Sequence, residues 1–202
     1  MPLPSPIAIA SRNPHKLREM ARICAEWPVE WLTADEDDER WPDVEETGAT
    51  YLDNARLKAR AVSAALGVPA LADDSGIEVD ALGGRPGPRS ARFAGEDASD
   101  RENLEELVRA VKGVPAAGRT ARYRCVVVLI TPLGDETVAE GLCEGTLEPK
   151  PRGTRGFGYD PIFVPAGWDR TMAELTDELK DRISHRGRAL RALRAAAEDP
   201  PL

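Results

Sequence analysis

Residues 71–84 read LADDSGIEVDALGG, and two adjacent carboxylates, Asp73 and Asp74, stand there at the end of a short apolar run. Val68, Ala70 and Leu71 predict a brief strand that stops at Asp73, Ser75 and Gly76 predict a turn, and residues 77–82 resume an extended pattern. A strand end is a rigid mount for chemistry. Neighbouring like charges repel, so the pair has two readings. It is an exposed acidic turn, for which Asp, Ser and Gly are ordinary formers, or it holds a hard divalent cation such as Mg2+ between the two carboxylates and a phosphate.

Just upstream, residues 45–67 read EETGATYLDNARLKARAVSAALG, with Leu52, Ala55, Ala59, Val62 and Leu66 on one apolar stripe. That spacing predicts a helix, opened by a capping box of Thr50 and Asp53 and stopped at Gly67 before Val68 and Pro69. Lys58 lies one residue from the stripe, so its stem can carry the ammonium along the core edge toward the Asp73 strand. Glu46 either joins Asp73 and Asp74 as a metal ligand or, with Glu45, only favours the helix N-terminus. Further upstream, residues 7–10 form a short strand, and after SRNPHK come Leu17, Met20, Ala21 and Cys24 at helical spacing. Asn13 suits the N-cap and Pro14 the first helical position, so free N–H groups are expected to point outward there. His15, Lys16 and Arg18 in that first turn oppose the helix dipole by about 0.3–1 kcal/mol each. A bound phosphate explains them, as does a solvated basic turn. Residues 29–32 predict a second strand, and the DEDDE run at 35–39 a solvated loop.

Downstream, GGRPGPRSARFAG at 83–95 predicts an irregular, mobile loop whose arginines face an anion. Ser99 with Glu102 caps a helix, and residues 123–131 and 136–147 predict two long strands, the first apolar enough to be central. In RGTRGFGYDPIFVP, residues 152–165, the glycines loosen the backbone around Phe157 and Tyr159. Those rings either stack on a flat heterocycle, worth ~1–3 kcal/mol per base, or plug the core. Asp160 is held extended by Pro161. Thr171 and Glu174 cap a short helix before Lys180, and Ser184 opens a final helix whose first turn holds His185 and Arg186. Both histidines of the chain, His15 and His185, thus sit at helix starts, which fits two anion sites or two unrelated surface residues.

The 202 residues suit one domain, or two lobes sharing a sheet, with a normal core. Lacking a basic n-region and a long apolar run, the N-terminus predicts neither a signal peptide nor a membrane span, so the expected location is cytoplasmic. Three scattered cysteines fit reduced thiols, and a net charge of -8 disfavours nucleic-acid binding.

Taken together, SRNPHK, EETGATYLDNARLKA, ADDSGIEVDALGG, GFGYDPIF and ISHRGRAL make the chain resemble the Ham1 or inosine triphosphate pyrophosphatase family over nearly its whole length. The resemblance implies an elongated mixed α/β fold, a β-sheet flanked by helices in two lobes with the active-site cleft between them. It further implies a homodimer that hydrolyses ITP, dITP and XTP to monophosphate and pyrophosphate. Carried onto this sequence, Ser11, Arg12, Asn13, Pro14, His15 and Lys16 bind the phosphate region, while Glu46 and Asp74 hold Mg2+. Asp74 also activates water, and Asp73 and Lys58 support the cluster. Ser75 touches substrate, and Phe157, Gly158, Tyr159 and Asp160 with Lys180, His185 and Arg186 form the pocket for base and phosphate. The sequence departs from the family pattern at Asp53, where Glu is usual, and at Arg89, where an aromatic is usual. Rival readings are a Maf-like pyrophosphatase with another base preference and a sensor that binds a nucleotide without cleaving it.

Overall fold

The computed structural model describes residues 3–34 and 40–198, so the acidic run at 35–39 lies outside the described residues. Six strands form a mixed sheet in the order β2-β1-β3-β4-β5-β6. They are β1 (Ile7–Ile9), β2 (Trp31–Leu32), β3 (Ala70–Val79), β4 (Thr120–Ile130), β5 (Glu136–Leu147) and β6 (Phe163–Pro165). β1 runs parallel to β2 and to β3, with Ile9 opposite Leu71, whereas β5 and β6 are antiparallel. The helices are α1 (Pro14–Ile23), α2 (Tyr51–Leu66), α3 (Asp100–Ala110), α4 (Asp177–Ile183) and α5 (His185–Glu198).

The chain divides into two compact units. The first comprises Met1–Asp74, Cys125–Gly141 and Arg186–Leu202. Its strands alternate in the period of two that pleated backbone imposes. Ile7, Ile9, Leu71, Val127 and Leu129 pack with Met20 of α1 and with Leu190 and Leu193 of α5. Ala8, Ala10, Ala70, Ala72, Val126 and Val128 pack with Tyr51, Ala55, Ala59 and Val62 of α2. Strands covered on both faces need continuous apolar runs, which accounts for the composition of β4. The small alanines toward α2 let that helix lie close. The second unit, Ser75–Arg124 and Leu142–His185, has its own core of Ile77, Val79, Leu107, Tyr123, Ile162, Phe163 and Met172.

The capping signals hold: Asn13 caps α1 with Pro14 at its first position, and Thr50 with Asp53 and Ser99 with Glu102 form capping boxes for α2 and α3. Other local expectations are corrected. Residues 70–79 form one continuous strand with no turn at Ser75 and Gly76, because Ile77 and Val79 extend the buried face and tertiary burial outranks turn propensity. The glycine-rich segment contains a 3-10 turn at Gly87–Arg92, and Arg89 pairs with Glu96 at 2.5 Å. Asp160 opens a 3-10 turn at Asp160–Ile162, and β6 follows within what reads as loop.

Candidate active site

Asp73 and Asp74 are both buried, and the pleat of β3 sends them to different partners. Asp73 follows the parity of Leu71, toward α1 and α5. Its Oδ2 accepts from Arg186 Nη2 at 2.9 Å and Nε at 3.2 Å, and Lys16 Nζ lies 3.2 Å away. Arg186 also donates through Nη1 to Glu19. Burial alone pushes the Asp73 carboxyl up, but Lys16, Arg186 and Lys58 outweigh it and hold it well below the usual carboxylate range. The neighbouring Cys125 thiol is pushed up by burial and by Asp73, so it is an inert neighbour.

Asp74 has the parity of Ala72 and faces α2. Asn54 donates its amide to Asp74 Oδ2 at 3.1 Å, and Lys58 Nζ stands 3.8 Å from Oδ1. The same ammonium is 2.5 Å from Glu46 Oε1. Burial raises the Asp74 pKa more than Lys58 and Lys16 lower it, so this carboxylate is the more basic of the two. Strand alternation thus gives the two carboxylates different nearest partners, Arg186 and Lys16 for Asp73 and Asn54 and Lys58 for Asp74, while the charges of both lysines reach both acids. Glu46 and Asp74, in contrast, already turn oxygens toward a single cation, the Lys58 ammonium. Two such carboxylates suit Mg2+, which binds few protein oxygens and completes its shell with water and phosphate. Among the described residues no group of three or more His, Cys, Asp or Glu is placed to hold a metal ion. A metal here would have to draw its remaining ligands from solvent and substrate.

The start of α1 is less open than its sequence suggests. Asn13 Oδ1 accepts from the His15 and Lys16 N–H groups at 2.9 and 3.3 Å, and Ser11 Oγ accepts from Asn13 N. Arg12 donates to the Trp41 carbonyl at 2.7 Å, and His15 faces Arg18 at 2.9 Å. The expectation of free N–H groups fails at those two positions because the cap side chain occupies them. Lys16 Nζ, aimed at Asp73, remains the cation of this segment nearest the acidic strand.

In the second unit a different carboxylate organises the glycine loop. Asp160 Oδ2 accepts from Lys180 Nζ at 2.5 Å and from Phe157 N at 3.0 Å, while Tyr123 donates its hydroxyl to Oδ1 at 3.2 Å. Gly156 has φ 72°, and a Cβ there would collide with Asp160 Oδ2, so only glycine lets the loop close on that carboxylate. Gly158 N donates to Asp100 Oδ2. Lys180 Nζ lies 5.0 Å from the centre of the half-buried Phe157 ring. Tyr159 is 4% exposed and donates to the Ser90 carbonyl at 2.7 Å, which makes it the core plug of the two alternatives. His185 stacks on Tyr123 with centroids 4.6 Å apart and planes 7° from parallel, so ring packing accounts for its buried position. Ser75 is half-buried within β3.

Arg186 is 1% exposed and directs Nε and Nη2 at Asp73 and Nη1 at Glu19, so it serves as a buried counter-ion to both acids. Sequence reasoning passed over three participants: Glu19, Asn54 and Tyr123. Asn54 was accessible, because it lies four residues before Lys58 and therefore on the same helix face. Glu19, three residues after Lys16, was accessible in the same way.

The Ham1 family model matches residues 7–196. A dITP/XTP pyrophosphatase of Geobacillus kaustophilus is 48% identical over 187 residues, 93% of this chain and 91% of that protein. A HAM1 protein of Coxiella burnetii superposes with a TM-score of 0.85 at 37% identity, covering 97% of this chain and 99% of the other. A nucleoside-triphosphatase, dITP/XTP pyrophosphatase, of Mycobacterium abscessus gives a TM-score of 0.75 at 46% identity, covering 94% and 98%.

Proposed function

The chain belongs to the Ham1 family, and on that premise we propose that it hydrolyses the non-canonical purine nucleotides dITP, ITP and XTP to monophosphate and pyrophosphate. The observation that carries this reading is Asp74. Asn54 holds one of its oxygens, the other faces Lys58, and burial raises its proton affinity. A carboxylate so placed is suited to take a proton from water as the water attacks the α-phosphorus in line, with pyrophosphate leaving. Lys58 and Lys16, both mostly buried, offset negative charge brought by the phosphates. Glu46 and Asp74 are the residues that would hold Mg2+, which when bound supplies Lewis-acid stabilisation of phosphoryl oxygens.

For the base we assign stacking to Phe157 and keep His185 as the donor that rewards a 6-keto oxygen. An adenine's 6-amino group would leave such a donor unpaired, a penalty of roughly 1–3 kcal/mol. Arg186 acts by holding Asp73. We further propose a single pyrophosphatase domain over residues 1–202, acting as a cytoplasmic homodimer that cleanses the nucleotide pool. Among the described residues no helix is long and apolar enough to cross a membrane.

The test is pyrophosphate release from ITP, XTP, dITP, GTP and ATP with Mg2+, beside an EDTA control. Metal-dependent release from ITP, dITP and XTP is expected, with ATP at least about tenfold slower, since 1.4 kcal/mol is a factor of ten; GTP shares the 6-keto oxygen, so its rate reads selection beyond that donor. Equal rates on all five sink the base filter, and tight binding without release favours the sensor reading.

A further inference from the structure

Asn54 is an amide on α2 with 0% exposure, on a helix whose other buried positions include Tyr51, Ala55 and Ala59. Burying such a group is unfavourable unless its hydrogen bonds are made, and both ends of this one are engaged. Its Nδ2 donates to Asp74 Oδ2 at 3.1 Å, and its Oδ1 accepts from Gly48 N at 2.8 Å. The amide therefore ties the middle of β3 to the segment that carries Glu46, two residues before Gly48. Gly48 is fitted to that contact: a Cβ there would lie 2.6 Å from Asn54 Oδ1 and 2.6 Å from Asp53 Cβ, closer than a side chain can come. With Asp74 Oδ2 occupied by the amide, Oδ1 is the oxygen directed at Lys58, whose ammonium also meets Glu46.

We infer that Asn54 is a positioning residue, which orients the Asp74 carboxylate and holds the Glu46 segment in register so that both acids face one cation. The inference rests on the proposed pyrophosphatase reading, and adds to it a residue whose amide ends are taken up by Asp74 and Gly48. Partners of this outer kind typically change metal affinity or activity 10–100-fold when removed, because the ligand they orient becomes free to rotate.

The experiment uses the full chain with Asn54→Leu, which keeps the buried volume and removes both hydrogen bonds, and with Gly48→Ala, which keeps every polar group but presses on Asn54 from the loop side. Three quantities are measured: melting temperature, Mg2+ affinity by titration calorimetry, and kcat and KM for ITP at saturating Mg2+. Expected for Asn54→Leu is a fall of about 10–100-fold in both Mg2+ affinity and kcat, with KM within about threefold of the parent. Gly48→Ala should change the same two quantities in the same direction by less, and it carries the test if Asn54→Leu does not fold. Parental Mg2+ affinity and kcat in a folded variant overturn the inference, as does a variant that loses only melting temperature. A parent chain that neither binds Mg2+ nor releases pyrophosphate overturns the functional premise itself, and the inference with it.

Discussion

Asp73 and Asp74 share a residue type and a strand, yet the two faces of β3 give them opposite chemistry. Toward α1 and α5, Asp73 meets a guanidinium and an ammonium within hydrogen-bonding reach, and its acidity rises despite complete burial. Toward α2, Asp74 meets an uncharged amide at 3.1 Å and an ammonium at 3.8 Å that is held closer by Glu46, and burial prevails. Counter-charge at short range, not the carboxylate itself, decides which acid anchors the fold and which one retains enough basicity to accept a proton. A deeply paired carboxylate and the proposed general base are thereby made one residue apart.

The largest effect that sharpens this contrast is Asp74→Asn. If Asp74 is the general base proposed above, its removal should lower kcat on ITP by about 10²–10⁴-fold while the fold is kept. Turnover within tenfold of the parent would move the base elsewhere. On the other face, Asp73→Ala strips Arg186 of the carboxylate that accepts from its Nε and Nη2. Breaking a buried ion pair from one side destabilises by roughly 3–5 kcal/mol, and for a chain of this size each kcal/mol corresponds to about 2–4 °C in melting temperature. A loss below about 2 °C would mean that Glu19 and Lys16 suffice and that Asp73 is no anchor.

How much of this was legible in the sequence depends on the range of each interaction. Caps and stripes are local, so the starts of α1, α2 and α3 could be read from Asn13, Thr50 and Ser99. The importance of the acidic pair could be read as well, but not the division of labour within it. Ser75 and Gly76 signalled a turn, and a turn conceals the alternation that separates Asp73 from Asp74. Arg186 donates to Asp73 across 113 residues and to Glu19 across 167, and no local pattern announces such pairings. First-turn cations at α5 suggest an anion site in sequence, while the buried ion pairs of Arg186 with Asp73 and Glu19 emerge only in three dimensions.

The smallest expected effect is also the one that most directly opposes the two faces. Asp73 is deprotonated more readily in the folded chain than at its ordinary value of 3.8, so the stability it contributes is present above about pH 4 and is lost as the pH falls toward its depressed folded value. Asp74 has the reverse sign. Its folded pKa is raised, so the folded chain binds the extra proton between pH 3.8 and that raised value, and the group weakens folding as the pH climbs through this window. Above it, the charged form must be carried in a buried site at a constant cost. Asp74→Asn removes that charge while leaving an oxygen to accept from Asn54, so at pH 7 the variant should melt at the parent's temperature or up to about 2–4 °C higher, equivalent to ~1 kcal/mol. The advantage should shrink as the pH is lowered through the raised Asp74 value, where the parent's carboxyl takes up its proton. Melting curves of parent and Asp74→Asn from pH 4 to 8 decide the matter. A variant less stable than the parent at pH 7 would show that the Lys58 pairing outweighs burial, and the two aspartates would then differ in degree rather than in sign.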